Sequence, residues 1–205
     1  MNAQPRLVVD RRRLRPPEAT ASAGPQEVHQ TAIAGLVALR VRQTADARGT
    51  VREFFRASTL AGAGLATGPW KQVNVTSSNR GVIRGLHSEP VTKLAAVLAG
   101  KVMGAYVDIR PTSPTRGAVV TLTLGVDDQV LIPPGVCQGF QAISQEPAQY
   151  MYLMDEEWRP GLPGVGIHPL DPALAIRWPL PVTPGDTSLL SAKDASQAPL
   201  ADSYP

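Results

Sequence analysis

From Lys71 onward the chain breaks into short runs rich in apolar residues: KQVNVTSS, GVIRGLHS, KLAAVLAG, VMGAYVDIR, AVVTLTLG, QVLIPPG, GFQAIS and AQYMYLMD. Gly, Pro, Asp, Asn and Ser separate them, and these residues supply turn geometry. Short strands with such punctuation predict an all-β sandwich or barrel. Upstream, LVALRVRQ (residues 36–43) alternates apolar and basic positions towards its end, as a half-buried strand does. DARG (46–49) reads as a turn, VREFFRA (51–57) as a second strand, and STLAGAGLATGP (58–69) as a short helical turn or loop. In VMGAYVDIR, strand alternation puts Met103, Ala105, Val107 and Ile109 on one face and Val102, Gly104, Tyr106 and Asp108 on the other. The first set is wholly apolar and is expected to face the core.

The two ends lack this pattern. Residues 1–30 are rich in Pro, Ala, Gln and Arg, show no period and offer little to bury. They are expected to form a disordered tail ahead of a single folded domain at 31–205. Beyond Trp158, prolines recur at 160, 163, 169, 172, 179, 181 and 184. That segment is expected to wrap the sheet irregularly, with a helical turn only at LLSAKDAS (189–196). No apolar stretch follows Arg11-Arg12-Arg13, so no signal peptide is expected there. No run of eighteen apolar residues reads as a membrane helix.

Composition narrows the function classes. The 20 prolines and 18 glycines in 205 residues disfavour long helices. A net charge of +3 suits an anionic small molecule rather than nucleic acid, which calls for a concentrated basic stripe. The single cysteine, Cys137, excludes a disulfide within the chain and fits a reducing, cytoplasmic setting. It sits among turn residues with no local base, and reads as a small buried hydrophobe. His87 has Gly85 and Glu89 two positions away where a second histidine ligand would stand, so no metal is expected. GAGLATG (62–68) lacks the strand and long helix of a dinucleotide fingerprint and reads as a loop. His168 reads as a loop histidine, and His29 is given no role.

Chemistry concentrates between Lys71 and Lys93, which holds Arg80, Arg84, His87 and Lys93. Regular alternation would place Arg84 and His87 on opposite faces. A bulge at Gly81 or Gly85 would bring them together. An imidazole titrates near neutrality, at about pKa 6.5. It can therefore take a proton from a carbon acid, provided cations hold the enolate that forms.

The blocks RGVIRGLH, TKL, AYVDIRPTSPTRG, PPGVCQGF, QYMYL and LDPALAIRWPLP occur in this order and at these spacings. Their combination resembles the dTDP-4-dehydrorhamnose 3,5-epimerase family, over roughly Leu36 to Asp202. The resemblance implies a cupin-type jelly-roll β-barrel that works without metal or other cofactor, as a homodimer sharing an N-terminal strand. It implies no membrane or nucleic-acid partner. The implied substrate is a dTDP-4-keto-6-deoxyhexose of deoxysugar biosynthesis, epimerised at C3, C5 or both. A histidine removes a proton beside the keto group, and a proton returns from the opposite face.

Carried over by position, the resemblance makes His87 the base and Asp194 the carboxylate that orients it. Tyr152 becomes the acid on the far face, and Lys93 the lysine near the keto oxygen. Arg84 is a substrate-binding arginine, and Gln72 and Asn74 line the pocket. Arg48 and Glu53 reach the nucleotide, across the dimer. Two positions depart from the family pattern. Gln138, counted with the substrate-binding residues, stands where a second histidine is usual, and Gly104 where an aspartate is usual. Glutamine offers hydrogen bonds but carries no proton at neutral pH. Thr50 and Val51 also replace larger residues. The rival expectation is a catalytically weakened cupin that binds a sugar nucleotide without epimerising it. A weaker one is an interaction scaffold with no affinity for thymidine diphosphate.

Overall fold

The computed structural model describes residues 27–65, 68–183 and 185–202. Thirteen strands occur among them: β1 (Glu27–Gln30), β2 (Val37–Arg40), β3 (Arg42–Asp46), β4 (Gly49–Glu53), β5 (Gln72–Ser78), β6 (Ile83–Ser88), β7 (Lys93–Ala99), β8 (Val102–Asp108), β9 (Val119–Leu124), β10 (Asp128–Ile132), β11 (Val136–Ala142), β12 (Ala148–Met154) and β13 (Val165–Gly166). The helices are short, α1 (Ala57–Gly62) and α2 (Ala192–Ala195), and no helix is long and apolar enough to cross a membrane. A six-stranded sheet, β1-β2-β10-β7-β12-β5, faces a five-stranded sheet, β13-β6-β11-β8-β9. The named pairings are antiparallel, and the two sheets make the jelly-roll barrel anticipated from the sequence.

Three apolar layers explain why many strands read as continuous hydrophobic runs. Residues such as Ala95, Val97, Tyr106, Val120, Val130, Phe140 and Tyr150 fill the space between the sheets. Leu86, Ala105, Val107 and Cys137 form a second cluster with Ile167, Leu174 and Leu200 of the C-terminal segment. Val37, Leu39, Leu94, Leu131 and Leu153 form a third with Leu60 of α1 and with Phe54 and Trp70. Where both faces of a strand are covered, as in β7, β8, β10 and β11, alternation separates two kinds of burial rather than core from solvent.

That distinction corrects the expectation for β8. The apolar set Ala105, Val107 and Ile109 faces outward, under the C-terminal wrap, while Val102 and Tyr106 point into the barrel. The inward face looked polar because it forms part of the barrel interior, where Tyr106 and Gly104 lie. Asp108 has the same parity and is fully buried, closing the end of β8 by accepting hydrogen bonds from Arg110, Ser113 and Thr115.

The N-terminal half also departs from expectation. The expected strand 36–43 is two strands, β2 and β3, which break at Val41. Its amide turns to the Asp127 carbonyl. The second expected strand is shorter than 51–57 and ends at Glu53, before α1. Strand β1, Glu27–Gln30, lies inside the stretch expected to be an unstructured tail. Backbone pairing with β2 builds β1, from Glu27 opposite Arg40 to Gln30 opposite Val37, and a sequence pattern does not display that contribution. Residues 1–26 of the expected tail lie outside the described residues.

Candidate active site

His87 and Asp194 come from distant parts of the chain. His87 lies on β6, and Asp194 on α2, whose first turn is capped by the Ser191 hydroxyl accepting from the Asp194 amide at 3.1 Å. The His87 Nε2–H donates to Asp194 Oδ1 at 2.7 Å. The Gly85 amide lies 3.4 Å from the other carboxylate oxygen. Burial pushes the Asp194 carboxyl up, but the His87 bond and charge, the Gly85 amide and Ser191 outweigh it. The group is held below its ordinary range. Nδ1 of His87 makes no hydrogen bond among the described residues and is left for the cleft.

The bulge required by the sequence is present on β6. Gln138 pairs with His87 and Phe140 with Arg84, so three steps on β6 match two on β11. Arg84 and His87 therefore share the inward face. Gly85 sits at the irregularity with φ +118°. A Cβ there would stand 2.6 Å from the Gly139 Cα and 2.8 Å from the Gln138 carbonyl oxygen. Glycine is needed both for the backbone angle and for the close approach of β6 to β11.

The cleft between the sheets has two lobes, of about 520 Å³ and about 330 Å³, and His87, Gln138 and Tyr152 border both. The wider lobe is edged by Arg84, Asn79, Ser188, Lys193 and Asp194. Arg84 is steadied by the Ser78 hydroxyl, at 2.9 Å, and by the Ser77 carbonyl. The narrower lobe is edged by Gln72, Asn74, Glu89, Lys93, Met154 and Trp158. Tyr152, on β12 of the facing sheet, pairs with Asn74 of β5 and with Ala95 of β7. Lys93, at the start of β7, is 5% exposed at its side chain; its ammonium is ion-paired with Glu89 and lies 5.6 Å from the centre of the Tyr152 ring. A cation, a phenol and an imidazole thus border one cavity, with the imidazole and the phenol on opposite sheets. Such a set can remove a proton from carbon, hold the resulting oxyanion and return a proton elsewhere.

Eight of the ten residues singled out from the sequence meet at this cleft: Gln72, Asn74, Arg84, His87, Lys93, Gln138, Tyr152 and Asp194. Arg48 and Glu53 do not. They lie on the β3–β4 hairpin, a separate two-stranded sheet, where Arg48 pairs with Asp46 at 2.6 Å and Glu53 with Arg56. Sequence reasoning missed Lys193, Glu89 and Tyr150. Lys193 adjoins Asp194, and Tyr150 shares the strand parity of Tyr152, so both carried a signal. The role of Glu89 beside Lys93 depends on the turn after β6. Among the described residues, no three His, Cys, Asp or Glu side chains gather as a metal site would need. Cys137 is buried, and burial pushes its thiol up to about 12, which keeps it out of nucleophilic chemistry near neutrality.

Comparison with known proteins gives this cleft a context. The family model described as dTDP-4-dehydrorhamnose 3,5-epimerase matches residues 30–202. A dTDP-4-dehydrorhamnose 3,5-epimerase of Streptomyces griseus is 37% identical over 164 residues, which cover 77% of this chain and 78% of that protein. A dTDP-4-dehydrorhamnose 3-epimerase of Streptomyces niveus is 35% identical over 178 residues, covering 83% and 82%. The crystal structure of NovW, a 4-keto-6-deoxy sugar epimerase from Streptomyces spheroides, superposes with a TM-score of 0.80 at 31% identity, covering 89% of this chain and 92% of that one. The match runs through both sheets and through the C-terminal segment that delivers Asp194 to His87, and by it the chain belongs to the dTDP-4-dehydrorhamnose 3,5-epimerase family.

Proposed function

We propose that this protein epimerises a dTDP-4-keto-6-deoxyhexose at a carbon beside its keto group, with His87 as the base. The observation that carries the reading is the 2.7 Å bond between His87 Nε2 and the buried Asp194 carboxylate. It fixes the ring with Nδ1 free and readies a negative charge for the imidazolium. His87 takes the hydrogen next to the ketone as a proton. The C–H electron pair becomes the enolate C=C, and the carbonyl π pair moves to oxygen, which the Lys93 ammonium holds. The Tyr152 hydroxyl then donates a proton to the opposite face of that carbon as the carbonyl re-forms. His87 afterwards loses its proton and Tyr152 regains one, so composition is unchanged and one centre is inverted.

The remaining groups fit the rest of such a substrate. Arg84 and Lys193 give the wider lobe two cations for a diphosphate. Gln72, Asn74 and Gln138 offer hydrogen bonds to sugar or nucleoside. Arg48 and Glu53 are assigned to the nucleotide of a partner's site in a homodimer, since their exposed hairpin does not reach the cleft of its own chain. A cytoplasmic location accords with the lone, buried Cys137 thiol.

Incubation with a dTDP-4-keto-6-deoxyglucose in deuterated water tests the reading. The wild-type protein is expected to take up label beside the keto group, and His87→Ala to take up none while still binding thymidine diphosphate. Undiminished uptake in that variant would remove His87 from the role. Binding without uptake by the wild type would leave a sugar-nucleotide binding module, the rival that the neutral Gln138 favours.

A further inference from the structure

The inward residues beside the base form a rung across the five-stranded sheet: His87, Gln138, Tyr106, Val120. The neighbouring rung reads Arg84, Phe140, Gly104, Leu122. The space over Gly104 is occupied, because a Cβ there would stand 2.6 Å from the Tyr106 hydroxyl oxygen and 3.0 Å from its ring. Tyr106 therefore leans from its own rung across the glycine and is fully buried. Phe140 of the same floor stacks on Tyr150 of the facing sheet, with centroids 4.3 Å apart.

Beyond His87 the first rung continues with polar side chains that are not proton carriers. Gln138 is an amide. Burial pushes the Tyr106 phenol well above its ordinary range, and Tyr150 reinforces the shift. Burial likewise raises Tyr150. The Tyr106 and Tyr150 hydroxyls and the Gln138 Oε1 are buried, with no hydrogen bond within ordinary distance among the described residues. The two hydroxyls lie near enough to perturb each other's ionisation. Of the other ionisable groups near the base, Glu89 is engaged by Lys93 and Asp194 by His87, Tyr152 is the acid assigned above, and Arg84 and Lys193 are assigned to the diphosphate.

A 4-keto sugar has an acidic hydrogen on each flank of its carbonyl. Inverting both centres requires proton carriers that serve both flanks. Here one imidazole is pinned by its carboxylate, and the rung beyond it continues as amide and buried phenol. We propose that Gly104, Tyr106 and Gln138 together are the specificity determinant that confines this enzyme to inverting one carbon, the one whose hydrogen faces His87. The proposal rests on His87 as the base. It assigns the space above Gly104 to a phenol instead of a proton carrier, and it assigns Gln138 Oε1 to accepting a hydrogen bond from a sugar hydroxyl.

Locating the label after many turnovers of a dTDP-4-keto-6-deoxyglucose in deuterated water decides between outcomes. Uptake at one flanking carbon, at least roughly a hundredfold faster than at the other, is expected, since that is the scale of positioned acid–base catalysis. Comparable uptake at both carbons would overturn the proposal while leaving His87 as base. No uptake at either would overturn both. Gln138→His puts an imidazole on the rung beside Tyr106 and is expected to raise uptake at the second carbon roughly tenfold or more. Uptake still confined to one carbon in that variant, or lost from both, would overturn the assignment of the limit to this floor.

Discussion

Replacing Asp194 by asparagine isolates the charge behind the base. Asparagine keeps one acceptor oxygen, which can still serve the His87 Nε2–H, but puts an NH2 group where the second oxygen faces the Gly85 amide and removes the negative charge. At 2.7 Å, unit charges on an imidazolium and a carboxylate attract by about 6 kcal/mol at an effective dielectric near 20. The His87 side chain is 31% exposed, so water takes up much of that attraction. A hydrogen bond to a charged group nets about 1.5–3 kcal/mol. That converts to a loss of about tenfold to a hundredfold in the rate of proton removal. Deuterium wash-in under substrate saturation measures it directly. Asp194→Asn should lie in that range, with substrate affinity little changed because the carboxylate sits behind the ring. Asp194→Ala should fall further, since it also frees the ring to turn. Wild-type wash-in in Asp194→Asn would refute the argument. Equal losses in both variants would mean that charge, not orientation, is what Asp194 supplies. Stability gives an independent check with a definite sign. The folded carboxyl is held below its ordinary value of 3.8, so its stabilisation is present above that pH and lost as pH falls through the folded value. Any Tm advantage of wild type over Asp194→Asn should therefore shrink below pH 3.8.

Two further outcomes follow from the same geometry. Tyr152→Phe should impair inversion more than exchange, because His87 can still remove and return a proton on one face. Product stereochemistry followed beside deuterium content checks this, and equal loss of both would count against a far-face acid. Gly85→Ala forces a Cβ against the backbone of β11 at positive φ, which should cost about 3 kcal/mol and lower Tm by roughly 6–12 °C. Exchange should fall with it, because His87 lies two residues along the displaced strand; an unchanged Tm would refute the close β6–β11 approach.

The sequence by itself determined the strand runs from β5 to β12. Local turn chemistry and apolar patterning act over a few residues, and each run needs nothing distant to be recognisable. It also marked His87, Lys93 and Tyr152 as chemistry, through residue type and the order of the matching blocks. Only the tertiary structure decided which face of β8 is inside. Both faces are buried, and the layer that covers the outer one arrives more than fifty residues later, as Ile167, Leu174 and Leu200. The same holds for β1, which exists through backbone pairing to β2, and for the meeting of Arg84 with His87, which depends on one extra residue on β6 opposite β11. The filling of Gly104 by Tyr106 belongs here too. On paper these are two neighbours of equal parity, and only packing between the sheets makes one side chain stand in the other's place. Chain-local forces set what each segment prefers; long-range packing and register set which atoms share a cavity, and the chemistry depends on the latter.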